Sequence, residues 1–200
     1  MKKLIIIGAG GHGRVVSETA KLNGYEVIGF LDDADNKTTV GKVADFIKYI
    51  GEADFTVAIG NNAVRMKIQS ELIKSGANVV SLIHPNATVS ESAAIGKGTV
   101  VMAGAVINAG VLIGDGVIIN TCASVDHDCR IGDFSHISVG ARICGTVGIG
   151  DCTWVCAGAT VINNIIICGG TTVGAGAVVV KDIDEIGTYV GVPAKARLFV

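Results

Sequence analysis

Proline is nearly missing from this chain: Pro85 and Pro193 stand against 28 glycines. Glycine this frequent without matching proline points to a regular succession of turns, not to a disordered proline-rich chain. Charge of one sign is missing too, with sixteen Lys and Arg against eighteen Asp and Glu and a net charge of -2. No stretch gathers basic residues into the footprint a polyanion requires, so nucleic acid is not an expected partner. Long apolar runs are also lacking. "MKKLIIIGAGG" carries two lysines and a short apolar run, but glycines cut it far below a signal-peptide core or a membrane span. The expectation is a cytoplasmic protein with no membrane insertion. The six cysteines, Cys122, Cys129, Cys144, Cys152, Cys156 and Cys168, form no C-x-x-C pair, which argues against a zinc module or a thioredoxin-like motif. They read as reduced, small, half-buried side chains. Apolar residues, by contrast, make up 50% of the chain, enough for a sizeable core without disulfides.

The glycines and apolar residues are ordered by a repeat. Stepping six residues at a time from Ile83 to Val179 meets Ile or Val at all seventeen positions, without an insertion. The position four further on is mostly small: Ala87, Ala93, Thr99, Ala105, Ala123, Cys129, Ser135, Ala141 and onward. One β-branched and one small inward position per hexapeptide fit a short flat strand followed by a turn, stacked rung on rung. Gly96, Gly114, Gly132 and Gly150 recur every eighteen residues, which makes three strands per triangular coil. The series breaks at Cys168 and resumes at Gly174. Over residues 81 to 195 the pattern resembles the hexapeptide-repeat acyltransferases. That resemblance implies a left-handed parallel β-helix, although general crossover rules favour the opposite hand. It also implies a homotrimer with its active sites between neighbouring prisms.

Residues 1 to 80 read differently. "KKLIIIGA", "YEVIGFLDD", "DFTVAIG" and "ANVVSLI" are strand-like, while "GRVVSETAKLNG", "VADFIKYIG" and "AVRMKIQSELIKSG" have helical spacing. The alternation implies a small parallel α/β sheet, a Rossmann-like half domain over 1–80 joined without a flexible linker to a β-helix over 81–200. "GAGGHG", from Gly8 to Gly13, satisfies G-x-G-x-x-G between a strand and a helix, and Asp32 and Asp33 follow about twenty residues later. Such a loop brings backbone donors and a helix N-terminus to a diphosphate. About 80 residues supply one mononucleotide-binding half and no second half for a nicotinamide, so a nucleotide-linked sugar suits the loop better than a dinucleotide. Glycines serving only helix–strand packing are the alternative.

"GAGGHGRVV", "FLDD" and "AIGN" followed by a hexapeptide helix resemble a family of bacterial sugar acetyltransferases. It includes the UDP-4-amino-sugar N-acetyltransferases of the PglD type, the perosamine N-acetyltransferases and the sialic-acid O-acetyltransferase type called NeuD. The resemblance implies that Gly10, Gly11, His12 and Gly13 hold phosphates and that Asp32 and Asp33 lie against base or ribose, with Asn61 and Arg65 as further candidates. His12 as a plain exposed loop residue is the other reading.

"SVDHDCRIGDFSHIS", residues 124 to 138, admits a metal site, a redox site, a core histidine or a general base. Catalytic zinc needs three nitrogen or sulfur ligands plus water. His84 lies more than two coils from His127 and His136, roughly 10 Å at about 4.8 Å per coil. Cys129 falls in the small inward slot, where a thiol is inert. No metal is therefore expected. His127 and His136 flank inward Val125 and Ile137, which places them on corners or outer faces within reach of a neighbouring prism. An imidazole between Asp126 and Asp128 suits general-base work, since its pKa lies near operating pH and a carboxylate can fix its tautomer. The family motif, carried over, makes His127 the base, Asp128 its orienting acid and His136 a partner of the acetyl-CoA thioester, with Asn120 in support. Residues eighteen apart stack, so His127, Gly145, Asn163 and Lys181 form one line along the axis. Gly145 leaves room for a pantetheine arm and a backbone N–H for an oxyanion, Asn163 can hydrogen-bond the arm, and Lys181 can meet nucleotide phosphates. "GVPAK", residues 191 to 195, resembles the superfamily's segment near the cofactor's adenine end, with Lys195 and Arg197 as phosphate or capping residues.

The expected activity is acetyl-CoA-dependent N-acetylation of a nucleotide-linked amino sugar, a UDP-4-amino-4,6-dideoxy sugar foremost. O-acetylation of sialic acid or another sugar uses the same base. A non-catalytic, nucleotide-binding trimeric scaffold and a metal enzyme of the γ-class carbonic anhydrase type are the competing classes.

Overall fold

The computed structural model describes residues 1–34 and 38–197. Its amino-terminal part is a four-stranded parallel sheet of β1 (Lys2–Ile7), β2 (Tyr25–Leu31), β3 (Thr39–Gly41) and β4 (Asp54–Val57), in the order β3-β2-β1-β4. Helix α1 (Gly11–Leu22) links β1 to β2, a 3-10 helix (Val43–Tyr49) precedes β4, and α2 (Asn62–Lys74) follows it. The expected fourth strand at "ANVVSLI" is reduced to a bridge between Val79 and Phe55. Two hydrogen bonds, Phe55 N–H to the Asn78 carbonyl and Val80 N–H to the Phe55 carbonyl, hold it there. By Leu82 the backbone already pairs with Val100 of the next unit. The fourth place in the sheet goes instead to β3, an edge strand of three residues too short to leave a periodic signal.

From Leu82 the chain winds into a parallel β-helix of two-residue strands. Each strand pairs with those eighteen residues before and after it, as Ile118 does with Val100 and His136. Among the described residues the three faces hold five, six and eight strands. All of the six-step positions from Val101 to Val179 are at most 5% exposed, and they form a single apolar column with the small residues between them. Each fully buried Ile or Val is worth roughly 1.5–3 kcal/mol in water-to-core transfer, so the repeat supplies most of the prism's cohesion. In some small slots a hydroxyl ties adjacent coils: Ser135 Oγ donates to the Gly150 carbonyl at 2.9 Å and accepts the Thr153 N–H at 3.1 Å.

The corner glycines have a steric cause. A Cβ on Gly114 would lie 2.2 Å from Asp133 Oδ1 of the coil above, the atom that accepts the Asp115 N–H. The same carboxylate bond recurs from Asp115 to Lys97 N–H and from Asp151 to Asp133 N–H. No aspartate continues this column beyond Asp151, since Gly169 and Gly187 follow it. Gly150 is still held to glycine by backbone alone, since a Cβ on it would lie 2.4 Å from Gly169 N.

The two units share a core. Alternate residues of β1 face opposite ways: Ile5 and Ile7 pack with Phe46, Phe55 and Leu72, while Leu4 and Ile6 pack with Val16 and Ala20 of α1 and with Val100, Met102 and Ile118 of the prism. The amino-terminal sheet is thus seated on the face of the prism that carries Val100, Ile118, His136 and Trp154. Among the described residues no helix is long and apolar enough to cross a membrane.

Candidate active site

His127 sits on the corner between the strands Ser124–Val125 and Arg130–Ile131 and projects to solvent beside an exposed Asp128. Its Nδ1 lies 2.9 Å from Asp128 Oδ2. Asp128 reaches back because its backbone is left-handed, with φ 59°, a conformation that short polar Asp tolerates and that clusters at functional turns. The coil below leaves space for the carboxylate: a Cβ on Gly110 would come 2.7 Å from Asp128 Oδ1. The coil above leaves space for the ring, since a Cβ on Gly145 would lie 2.5 Å from His127 Nε2. With Nδ1 bound to the carboxylate, Nε2 is the free nitrogen. The Asp128 hydrogen bond and the nearby Asp126 charge hold the imidazole's pKa above the ordinary histidine value.

Register places Asn163 and Lys181 above Gly145, because Arg142 pairs with Thr160 and Thr160 with Val178. Both side chains are exposed. Lys181 and Lys195 line one cavity of about 310 Å³ at the carboxyl-terminal end of the prism, together with Asp182, Tyr189, Pro193 and Ala194. Gly145, Asn163 and Lys181 therefore stack on the corner of the base, and Lys181 meets Lys195 at this cavity.

His136 is placed differently from the expectation. It is only 8% exposed, not open on an outer face. Trp154, one coil on, stacks on it with ring centroids 6.0 Å apart and planes 9° from parallel. Its Nε2 is 3.1 Å from Asn120 Nδ2, and Asn120 Oδ1 accepts the Thr121 N–H. An amide donor on Nε2 puts the imidazole proton on Nδ1, which faces the Gly60 backbone without a well-formed hydrogen bond. Burial, with the Arg65 charge behind it, pushes the His136 pKa down to about 3. His136 lies on the face opposite the corner of His127, because nine residues span half of an eighteen-residue coil. Asn120 and His136 are thus brought together, and so are His127 and Asp128, but one chain does not bring the two pairs to one place.

The glycine loop divides its work. Gly10 and Gly11 have open space where a Cβ would stand, with nothing nearer than Arg14 Nη2 at 3.9 Å. Among the described residues no side chain caps the N-terminus of α1, which leaves its first N–H groups open to an anion. Gly13 is required by packing, since its Cβ would come 2.1 Å from the Gly8 carbonyl. His12 is no exposed loop residue. Burial and the Arg65 charge bring its pKa down to about 4, and its buried Nε2 has no partner among the described residues. At neutral pH it is an uncharged donor or acceptor.

Asp32 accepts the Ala9 N–H at 2.7 Å and the Ala34 N–H at 2.9 Å, bonds that hold its carboxyl below the usual range and fix the glycine loop. Asp33 accepts the Val43 N–H at 3.0 Å, pinning the start of the 3-10 helix. Asn61 spends its Oδ1 as the N-cap of α2, on the Val64 N–H. Arg65 is not available to a ligand. It is 1% exposed, and its guanidinium donates to the carbonyls of Gly116 (2.7 Å), Phe134 (2.6 Å) and Ser135 (3.3 Å) of the prism and to those of Ile59 and Gly60. It is a strut between the two units, and burial brings its pKa only to about 10, so it stays charged. Asn62 and Gln69, on the same side of α2, donate to the Cys152 and Lys97 carbonyls. That polar docking face was missed in the sequence; Asn, Arg and Gln at spacings of three and four were its signal. Cys129 is buried inward as expected, and burial pushes its thiol pKa up.

A larger cavity of about 790 Å³ opens among Lys2, Lys3, Glu52, Asp54 and Asn78. It lies at the amino ends of β1 and β4, whereas open α/β sheets bind ligands at the carboxyl ends, and it holds none of these groups.

Residues 3–72 match the family model of the PglD N-terminal domain. The acetyltransferase domain of PglB from Neisseria gonorrhoeae FA1090 is 44% identical, covers 98% of this chain and 100% of its own, and superposes with a TM-score of 0.95; a second structure of that domain is in complex with acetyl coenzyme A. PerB from Caulobacter crescentus, in complex with CoA and GDP-perosamine, is 39% identical over 98% of both chains, with a TM-score of 0.94. Among curated proteins, the UDP-N-acetylbacillosamine N-acetyltransferase of Bacillus subtilis (strain 168) is 38% identical over 113 residues, 52% of this chain and 52% of that protein. The match thus spans about half the length of that relative.

Proposed function

This chain belongs to the hexapeptide-repeat sugar acetyltransferases of the PglD family, and we propose that it moves the acetyl group of acetyl-CoA to the amine of a nucleotide-linked amino sugar. The observation that carries the reading is the pair His127–Asp128 on an exposed corner, with Nε2 free below Gly145 and the same corner leading through Asn163 to Lys181 at the carboxyl-terminal cavity. Similarity to proteins solved with acetyl coenzyme A, and with CoA and GDP-perosamine, supports the two substrates. The sugar is a 4-amino sugar on UDP or GDP, its phosphates at Gly10 and Gly11.

The transfer is direct. The amine nitrogen attacks the thioester carbonyl while His127 Nε2 takes its proton, and Asp128 steadies the imidazolium through Nδ1. An N–H of the turn at Gly145 receives the oxyanion. The C–S bond then breaks, and the proton held by His127 goes to the departing thiolate, leaving the N-acetyl sugar and free CoA. No acyl-enzyme is required, and the cysteine thiols take no part.

His127 and the buried pair Asn120–His136 lie on opposite sides of one prism, so a site that uses both draws them from two subunits. A homotrimer in which the corner of one subunit faces the loop-covered face of the next meets that need, and a cytoplasmic location gives access to acetyl-CoA and nucleotide sugars. The test is CoA release, read with 5,5′-dithiobis(2-nitrobenzoate), across UDP- and GDP-linked amino sugars and free sialic acid. Release with an amino sugar and none with sialic acid is expected. Release with sialic acid alone moves the reading to O-transfer, and no release with any acceptor overturns it.

A further inference from the structure

The base is attached to the coil below it by a contact that the Asp128 hydrogen bond does not explain. Asn108 Nδ2 donates to Asp126 Oδ1 at 2.7 Å, and the same oxygen accepts the backbone N–H of His127 at 2.8 Å. One carboxylate oxygen thereby ties the His127 backbone to the turn eighteen residues earlier. The turn does not need this tie in order to fold. The residues stacked above Asp126 in its column are Cys144 and Ile162, and the turns that follow them adopt the same left-handed step at Thr146 (φ 62°) and Asn164 (φ 61°) without a carboxylate. The Asn–Asp pair thus occurs at the coil that bears the base.

We propose that Asn108 and Asp126 are positioning residues for His127: Asn108 anchors the Asp126 carboxylate, and that carboxylate fixes the base's backbone and supplies a second negative charge beside its imidazole. The inference rests on the reading of His127 as the general base. The charged and titratable groups around the ring are few. Its own turn presents Asp126 and Asp128, the turn below presents Asn108, Ala109 and Gly110, and the turn above presents Cys144, Gly145 and Thr146, so the Cys144 thiol is the only titratable side chain in the two adjoining turns. The Asp126 charge acts on His127 in the direction that favours the imidazolium, and the Asn108 hydrogen bond keeps Asp126 ionised, its pKa held below the usual carboxylate range.

Two substitutions separate the roles. Asp126→Asn keeps an oxygen for the His127 N–H and removes the charge, while Asn108→Ala keeps the charge and removes the anchor. In Asp126→Asn the His127 ring should titrate lower, by on the order of half a pH unit, in an NMR titration of the histidine ring protons. The chain has four histidines, so the resonance is assignable by comparison with His127→Ala. The acid limb of the kcat/KM profile should move the same way, because a weaker base stays unprotonated to lower pH. In Asn108→Ala, kcat should fall several-fold to on the order of tenfold with KM for both substrates unchanged and the acid limb unmoved. An unmoved His127 titration in Asp126→Asn together with an unchanged kcat in Asn108→Ala overturns the proposal. If His127→Ala is inactive while both variants behave as wild type, this inference alone fails; if His127→Ala keeps full rate, the base assignment beneath it fails.

Discussion

Gly145 lies so close to His127 that a Cβ on it would come within 2.5 Å of the ring nitrogen Nε2. The obstructed atom is at the free end of an exposed side chain, so Gly145→Ala should leave the fold intact and displace the base. A base moved by about 1 Å can lose on the order of 10²-fold in rate. The expected outcome is a kcat reduced by about that factor with a melting temperature within a degree or two of wild type. A melting temperature that falls in step with kcat contradicts it.

Arg65 should prove to be a stability residue. Arg65→Met removes donors from five backbone carbonyls of the two units and leaves several of them buried and unpaired. Hydrogen bonds to a charged group are worth about 1.5–3 kcal/mol each, though not additively. A net loss of about 3 kcal/mol lowers the melting temperature of a chain this size by about 10 °C. Substrate KM should change little at temperatures where the variant is folded. A large rise in KM at unchanged melting temperature returns Arg65 to the ligand site.

Stability should fall on mild acidification. His12 and His136 titrate at about 4 and about 3 when folded, against an ordinary value of 6.5. Above pH 6.5 both states hold them neutral. Below it the unfolded chain takes up protons that the folded chain refuses, so stability is lost from pH 6.5 down to pH 3–4. The loss is about 2 kcal/mol for each histidine between pH 6.5 and 5. His127, raised by its carboxylates, works in the opposite sense but is fully exposed. Melting temperatures at pH 7 and pH 5 check this, and His136→Asn should flatten the dependence.

Two glycines of the same loop should give opposite phenotypes. Gly11→Val fills open space at the helix N-terminus and should raise the KM for the nucleotide sugar by roughly tenfold at unchanged melting temperature, as loss of one or two backbone contacts to a phosphate would. Gly13→Ala drives a methyl into the Gly8 carbonyl and should cost about 1–3 kcal/mol of stability. Isothermal titration with the bare nucleoside diphosphate separates the two.

Where the sequence was legible, a period did the work. The six-residue step placed Val125, Cys129, Ile131 and Ser135 inward, and all four are buried. The same register stacked Gly145 over His127. Less was legible where a residue's role depends on what a distant segment offers it. The family resemblance makes Arg65 and Asn61 further candidates for the nucleotide sugar, yet one is drawn into the carbonyls of a unit some fifty to seventy residues on and the other caps its own helix. His136 sits next to an inward Ile137, so by register alone it is outward. Its burial comes from Trp154 and from the amino-terminal unit seated on that face, and neither is written in the local spacing. Gly13 shared a motif with Gly10 and Gly11, and only the approach of the Gly8 carbonyl tells it apart.

The most direct test compares the initial rate of CoA release from acetyl-CoA, with a UDP- or GDP-linked 4-amino sugar as acceptor, in wild type and His127→Ala. General-base catalysis of this kind contributes about 10²–10⁴-fold. The account predicts sugar-dependent release by the wild type and a rate lower by at least about 10²-fold in His127→Ala, at an unchanged melting temperature. Equal rates in the two proteins would contradict it.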